Sequence, residues 1–220
     1  MKIDPARVLW SAPEEERAGR PLLVMLHGHG SNEQVGFDLR SHLPHELVIA
    51  SIRAPLRAGA GYAWFPLDAT LALHQIDDVA HAVLDWLSAQ PPTPSVGILG
   101  FSQGAATGVH TMRLAPERFD YGVVLSGFVV PVEVPGDAVL TRTRPPVFWG
   151  RGDRDPVIPS FLMPSTTSWL TDHSTLTEHV YTGLGHYVSA AELTDLAAFL
   201  DRQLTRRRPQ RPGSAIQGGA

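Results

Sequence analysis

The sequence predicts a single α/β domain with a mostly parallel central sheet and helices on both of its faces. Short apolar runs rich in branched residues alternate with helical patterns, which is typical of strands buried on both faces of a parallel sheet. The 220 residues contain no internal repeat and suffice for one domain that needs no disulfide or metal to stabilise it. In such sheets reactive groups collect at the carboxyl ends of the strands, so we expect the functional site there.

Five apolar runs carry the strand prediction. They are Pro21–His27, Glu46–Ile52, Ser95–Phe101, Tyr121–Gly127 and Pro145–Gly150. A weaker sixth candidate covers residues 177–182. We interpret Phe148 and Trp149, which lie inside the fifth run, as core residues.

Two helices are marked by apolar side chains at helical spacing. The first covers Leu71–Leu87, where apolar residues recur every three or four positions and aspartates occupy the other face. The last helix begins after Ser189, which forms a capping box with Glu192, and its apolar stripe continues to Leu204.

Two connections are long enough to shape a site. Arg53–Asp68 follows a strand and contains three aromatic residues, whereas Phe128–Arg144 joins two strands and contains two prolines. Neither is long enough for a helical lid. We therefore expect no large lid domain and a site that opens to solvent between loops.

The composition excludes several kinds of chemistry. The chain has no cysteine, which removes thiolate nucleophiles and thiolate metal sites, and Lys2 is its only lysine, so no buried lysine is available for a Schiff base or a phosphate clamp. Without the four arginines of the last 15 residues, 14 basic residues face 22 acidic ones. This acidic body argues against nucleic acid as a partner.

We place the domain at residues 1–204 and interpret residues 205–220, rich in Arg, Pro and Gly, as a disordered tail. No stretch is apolar enough for a membrane span or a signal peptide. Together with the absence of cysteine, this favours a cytoplasmic protein. Monomer and homodimer both remain open.

The segment Gly100-Phe101-Ser102-Gln103-Gly104 matches G-x-S-x-G between a predicted strand and a predicted helix. In this context a sharp turn exposes the serine hydroxyl above the sheet, and glycine is needed on both sides because larger side chains would collide. The pattern also arises by chance in glycine-rich turns. Its strand–turn–helix setting favours Ser102 as a nucleophile.

A serine nucleophile needs a base, usually histidine, and a carboxylate that orients it, in the chain order Ser, acid, His. Of the late histidines, His173 ends a helical segment and His179 lies in an apolar strand candidate, whereas His186 lies in a loop between a strand and the capped last helix. We therefore predict His186 as the base.

The acid has two candidates, Asp153 and Asp155, which both follow the fifth apolar run. Spacing does not separate them, although an aspartate at position 153 also suits a glycine-flanked turn.

An oxyanion hole requires two backbone N–H groups aimed at the position where negative charge develops. One comes from the residue after the nucleophile, Gln103. The other is expected in "LHGHGSN", Leu26–Asn32, where glycines let the backbone approach a substrate closely, and we assign it to His29.

The motifs "LHGHGSN", "GFSQGA", "GDRDPVIP" and "GLGH" occur in an order and spacing that resemble the phospholipase/carboxylesterase family, acyl-protein thioesterase-like serine esterases of the α/β-hydrolase fold. The resemblance covers about residues 20–204. It implies an α/β-hydrolase domain in which Ser102 is the nucleophile, His186 the base and Asp155, rather than Asp153, the acid.

The resemblance also implies a small-molecule ester or thioester as substrate, with no cofactor and no metal. "AWFPLD" is similar to a segment that lines the substrate groove in this family, which points to Trp64 and Phe65. His29 departs from the family, where an apolar residue is common, so we expect short to medium acyl chains rather than long-chain lipids.

Other functions have specific counter-indications. A metal hydrolase could use the pair His27-x-His29, but such sites need at least three protein ligands, and a structural role in bonding the loops at the strand end suits His27 better. An acyltransferase or a lysophospholipase/thioesterase would use the same triad. A non-catalytic binding protein on the same scaffold would have little reason to keep nucleophile, acid and base together.

Overall fold

The computed structural model describes residues 1–67 and 73–206. Their strands are β1 (Leu9–Trp10), β2 (Leu22–Leu26), β3 (Val48–Ile52), β4 (Leu56–Ala58), β5 (Gly61–Ala63), β6 (Val96–Phe101), β7 (Tyr121–Leu125), β8 (Pro146–Gly152) and β9 (Thr175–Tyr181). Their α-helices are α1 (Glu33–Asp38), α2 (Leu73–Ser88), α3 (Gln103–Leu114), α4 (Asp137–Thr143), α5 (Met163–His173) and α6 (Ala190–Arg206).

The main sheet has seven strands in the order β1-β3-β2-β6-β7-β8-β9. All of its pairs are parallel except the one between β1 and β3. All six predicted strands are present, and every residue of β2, β3 and β7 is buried. This confirms the predicted α/β class with a mostly parallel sheet, and it places β6, which leads into Ser102, at the centre.

Helices cover both faces of this sheet, as the side chains of β2 illustrate. Val24 belongs to an apolar cluster with residues of α2 and α3, whereas the next residue, Met25, belongs to a second cluster with Leu196 and Phe199 of α6. Successive side chains of a strand point to opposite faces, so each face of β2 packs against its own helices. Phe148 and Trp149 are fully buried, which confirms their assignment to the core.

The predicted helix over 71–87 corresponds to α2, and residues 71–72 lie outside the described residues. The predicted capping box of α6 is present: the hydroxyl of Ser189 accepts a hydrogen bond from the N–H of Glu192 at 3.1 Å, and the carboxylate of Glu192 accepts one from the N–H of Ser189 at 3.4 Å. The helix continues to Arg206, past the predicted domain end. Most of the predicted tail, residues 207–220, lies outside the described residues.

Arg53–Asp68 was predicted as a loop, but its described part contains a hairpin. Strands β4 and β5 pair antiparallel, with Leu56 opposite Ala63. Three-residue strands are too short to show an alternating pattern, so the sequence carries little signal for them. An isolated bridge between Ser31 and Tyr62 joins this hairpin to the loop after β2.

No helix among the described residues combines the length and apolar character needed to cross a membrane.

Candidate active site

Ser102 occupies a strained turn between β6 and α3, which we call the Ser102 turn (Gly100–Gly104). Its φ of 53° and ψ of −119° are unusual for a residue with a side chain. A Cβ at Gly100 would lie 2.3 Å from the carbonyl oxygen of Gly104, and a Cβ at Gly104 would lie 2.2 Å from that of Leu26. Because both obstacles are backbone atoms, only glycine fits at these two positions, as the motif predicts.

The structure brings Ser102, His186 and Asp155 into one hydrogen-bonded line. The distance from Ser102 Oγ to His186 Nε2 is 2.9 Å, and the distance from His186 Nδ1 to Asp155 Oδ2 is 2.7 Å. A carboxylate only accepts hydrogen bonds, so a neutral His186 carries its proton on Nδ1 and presents the lone pair of Nε2 to the serine hydroxyl. The Phe101 ring packs beside the imidazole, with 4.9 Å between the ring centroids.

The two candidate acids have different surroundings. Asp155 Oδ1 accepts hydrogen bonds from the N–H groups of Val157 (2.8 Å) and Ile158 (3.1 Å), which aim its other oxygen at His186. Asp153 Oδ1 accepts a hydrogen bond from the N–H of Gly183 at 2.6 Å. The structure thus separates an aspartate that contacts the imidazole from one that ties two loops together.

The two residues whose N–H groups are predicted to form an oxyanion hole, Gln103 and His29, line the same cavity as Ser102. Gln103 is the first residue of α3, where the helix dipole favours negative charge, and His29 follows β2. Within residues 1–67 and 73–206, neither N–H donates to an intramolecular acceptor.

His27 has the structural role that the sequence suggests. Its Nδ1 bonds the carbonyl of Gly28 at 2.7 Å, and its Nε2 accepts a hydrogen bond from the N–H of Ala54 at 3.1 Å. Burial lowers the pKa of His27, which favours this neutral form. Both ring nitrogens are engaged, so neither is free to bind a metal. No group of three or more His, Asp or Glu side chains that could hold a metal occurs in the described part of the chain.

A second anchor of the loop after β2 was not predicted. Buried Glu33 pairs with Arg53, whose Nε lies 2.6 Å from one carboxylate oxygen and whose Nη1 donates to the Tyr62 hydroxyl at 3.1 Å. Burial by itself would raise the pKa of Glu33, but the hydrogen bonds from Arg53 outweigh it and the pKa is lowered. The sequence contains no local signal for this pair, because its partners lie on different elements.

Ser102 and His186 lie in the wall of a cavity of about 980 Å³. Its lining is mostly apolar and comes from loops at the carboxyl ends of the strands; it includes Leu26, Phe65, Phe101, Phe128, Val130 and Ile158. Other large apolar side chains line it and remain exposed: Val35, Leu67, Val157, Phe161 and Tyr187. Both long connections contribute to the site, as predicted. The apolar residues that follow Asp155 also line the cavity, and this run in the sequence could have indicated an apolar wall.

The prediction that Trp64 lines the substrate groove is wrong. Phe65 lines the cavity, but the Trp64 side chain is 0% exposed, and its indole N–H donates to the carbonyl of His27 at 2.7 Å. From the sequence, both aromatic residues lie in a loop, with no helix or strand that could pack their side chains into the core. The β4–β5 hairpin instead directs Trp64 into the apolar cluster beneath the site.

Comparisons with known proteins agree with this architecture. The phospholipase/carboxylesterase family matches residues 12–204. Acyl-protein thioesterase 1 of Saccharomyces cerevisiae is 34% identical over 110 residues, 48% of each chain, and carboxylesterase SOBER1 of Arabidopsis thaliana is 30% identical over 63% of this chain and 62% of its own. The matched segments thus span about half to two thirds of these relatives.

Among solved structures, that of esterase PE8 superposes with a TM-score of 0.73 at 25% identity, covering 92% of this chain and 99% of the other. The extent of the family match, from before β2 to the last turns of α6, includes every element that builds the site. The chain therefore belongs to the phospholipase/carboxylesterase family, a family of ester hydrolases built on the α/β-hydrolase fold.

Proposed function

We propose that the protein is a serine carboxylesterase that hydrolyses esters and thioesters of short to medium acyl chains through an acyl-enzyme on Ser102. The observation that carries the proposal is the hydrogen-bonded line from Ser102 through His186 to Asp155 at the wall of a large apolar cavity. We include thioesters because a relative is named acyl-protein thioesterase 1.

In the first half of the reaction, the side chains of the triad and the two N–H groups act together to form the acyl-enzyme. Ser102 Oγ attacks the carbonyl carbon while His186 Nε2 takes the hydroxyl proton. Asp155 holds the imidazole in the productive tautomer and stabilises its charged form. The N–H groups of Gln103 and His29 bind the oxyanion, and His186 then returns the proton to the departing alcohol or thiol, which leaves an ester on Ser102.

Deacylation repeats the chemistry with water as the nucleophile. His186 removes a proton from water as it attacks the acyl-enzyme, and the acid leaves when Ser102 recovers its proton. The volume of the cavity exceeds the needs of an acetyl group, and its apolar lining favours a hydrocarbon acyl chain. The cytoplasmic location favoured by the cysteine-free sequence stays a prediction.

The proposal is tested by hydrolysis of p-nitrophenyl butyrate. Ser102→Ala removes the nucleophile and is expected to lower kcat about 10⁶-fold, as the loss of a triad serine does elsewhere. A fluorophosphonate probe should label the wild type and leave the variant unlabelled, because only an activated serine reacts readily. Retention of most of the hydrolysis in Ser102→Ala would refute the scheme.

A panel of p-nitrophenyl esters and matched thioesters of two to sixteen acyl carbons tests the substrate class. We expect kcat/KM to peak at short to medium chains, and a peak at the longest chains would refute that part of the proposal. Added alcohols that capture the acyl group faster than water would instead indicate an acyltransferase.

A further inference from the structure

Two N–H groups that bind one oxyanion must keep a fixed separation, yet here they lie on different elements. The N–H of Gln103 begins α3, and that of His29 follows β2. We propose that the buried side chains of Gln103, Trp64 and His27 form one hydrogen-bonded bridge that holds these two N–H groups in register. This inference rests on the proposed function, and it assigns the three side chains as positioning residues.

The bridge begins at the Gln103 side chain, which is 3% exposed. Its Oε1 accepts a hydrogen bond from the N–H of Trp64 at 2.9 Å, and its Nε2 donates one to the carbonyl of Phe65 at 2.6 Å. The two partners are a donor and an acceptor, so only one orientation of the amide satisfies both. The residue that supplies one oxyanion N–H is thereby fixed to the segment that follows β5.

The middle of the bridge is the indole of Trp64. Its N–H donates to the carbonyl of His27 at 2.7 Å, and the indole and imidazole rings pack with their centroids 5.4 Å apart. The contact joins the segment held by Gln103 to the end of β2, where the loop carrying His29 begins.

The last link acts on the His29 N–H through its own peptide group. The Nδ1–H of His27 donates to the carbonyl of Gly28, which belongs to the same planar peptide unit as the N–H of His29. This hydrogen bond fixes the orientation of that plane, and it also polarises the peptide, which strengthens the N–H as a donor. The N–H of Ala54 occupies Nε2 and so holds the proton on Nδ1.

Burial makes the bridge rigid. The three side chains are at most 3% exposed, so water does not compete for their hydrogen bonds, and a broken link would leave a buried donor or acceptor without a partner. Oxyanion binding requires placement to within about 0.5 Å, which a connected, buried set of bonds provides better than a loop alone.

The experiment compares two tryptophan-to-phenylalanine variants. Trp64→Phe removes the indole N–H that bonds His27, whereas Trp149→Phe removes an equally buried indole whose N–H has no partner among the described residues. Both lose the same volume from the core. We expect Trp64→Phe to lower kcat for p-nitrophenyl butyrate by about 10- to 100-fold with KM within about twofold, and Trp149→Phe to leave both near the wild type.

Rates are expressed per active site, counted by stoichiometric fluorophosphonate labelling, so that loss of folded protein does not imitate a lower kcat. A merely structural role of Trp64 would lower the number of sites or raise KM and leave kcat per site unchanged. That result, or equal kcat values for the two variants, would overturn the inference.

Gln103→Met breaks the other end of the bridge and keeps the backbone N–H of residue 103, so it carries the same test if Trp64→Phe does not fold. A single bridge predicts that the double variant Gln103→Met/Trp64→Phe is about as slow as the slower single variant, because one broken link already uncouples the loops. If the fold-losses in kcat of the two single variants instead multiply in the double variant, the two contacts act independently and the bridge is refuted.

The inference and the proposed function fail in different ways. If wild-type hydrolysis does not depend on Ser102, the proposed function is wrong. If Ser102 is required and the kcat of Trp64→Phe equals that of Trp149→Phe, the bridge alone is wrong.

Discussion

The Ser102 turn and the loops that carry Asp155 and His186 hold their side chains by different physical means. In the Ser102 turn, backbone packing fixes the position of the serine. Carbonyl oxygens lie only 2.2–2.3 Å from where a Cβ of residue 100 or 104 would be, so only glycine fits at Gly100 and Gly104. The N–H of Ser102 also donates to the carbonyl of Leu125 at 2.9 Å, which ties the turn to the neighbouring strand.

The acid and the base depend instead on individual hydrogen bonds. Asp155 is oriented by two backbone N–H groups, and the loop after His186 ends at Ser189, whose N–H bonds Glu192. A substitution in these loops can remove one such hydrogen bond and leave the rest of the fold intact. A side chain added in the Ser102 turn would instead force apart the backbone segments that pack there. We therefore expect substitutions in the loops to change activity in a folded protein, and substitutions of the two glycines of the turn to change folding itself.

The largest effect on activity in the loops is expected for Asp155→Asn. The asparagine oxygen can still accept from Val157 and Ile158, but its amide group faces His186 Nδ1 as a donor, so the imidazole loses the partner that keeps its proton on Nδ1. In triads of this kind the change lowers kcat about 10⁴-fold. Steady-state kinetics with p-nitrophenyl butyrate, beside a melting curve, measures it.

Asp153→Asn is the matched control for this prediction. The new amide oxygen would still accept from the N–H of Gly183, and no imidazole depends on this position, so we expect kcat within about threefold of the wild type. Equal losses in the two variants would contradict the separation of the two aspartates.

Gly104→Ala tests the Ser102 turn. The added Cβ would lie 2.2 Å from the carbonyl oxygen of Leu26 and 2.5 Å from that of His27, so the helix and the strand must move apart. We expect a loss of more than about 4 kcal/mol in the free energy of unfolding, or no folded protein, measured by urea unfolding.

Gly108→Ala in the same helix controls for the loss of glycine. Its Cβ would meet only side-chain atoms at 3.5 Å or more, so we expect the protein to be more stable by about 0.5–1 kcal/mol. If the two variants proved equally stable, backbone packing would not be what defines the turn.

The smallest of the three main effects, controls aside, is a pH dependence at the cap of α6. Burial raises the pKa of Glu192 to about 7 from its ordinary 4.5, and the carboxylate of Asp195 adds to the rise. An unfolded carboxyl loses its proton above about pH 4.5 while the folded one keeps it until about 7, so the stabilisation that this group provides is complete below pH 4.5 and is lost as the pH rises to 7.

Glu192→Gln keeps an oxygen that can accept from Ser189 and does not titrate. We therefore compare the unfolding free energies of the variant and the wild type at pH 4.5 and at pH 8. The wild type is expected to lose ~2–3 kcal/mol relative to the variant between these pH values, because each unit of pKa shift corresponds to about 1.4 kcal/mol. Urea unfolding at the two pH values measures it, and a constant difference would contradict the raised pKa.

The features that could be predicted from the sequence are those set by neighbours in the chain. Six strands, the Ser102 turn and the capping box of Ser189 and Glu192 follow from apolar runs and glycine spacing, and the structure contains each of them. His186, selected by chain order, lies 2.9 Å from Ser102 Oγ. The three-residue strands of the β4–β5 hairpin were missed because they are too short to show a periodic pattern.

The sequence by itself determined the order of the elements and the residue types available for chemistry, because strand burial and the glycine requirement of a sharp turn act over a few residues. Spacing left two aspartates open and only the family resemblance favoured Asp155; the tertiary structure places Asp155 against His186. Only the tertiary structure decided that Trp64 turns into the core while Phe65 lines the cavity, and that Gln103 reaches His27 through Trp64. Those contacts join residues tens of positions apart, and their geometry depends on how the loops of neighbouring strands meet at the edge of the sheet.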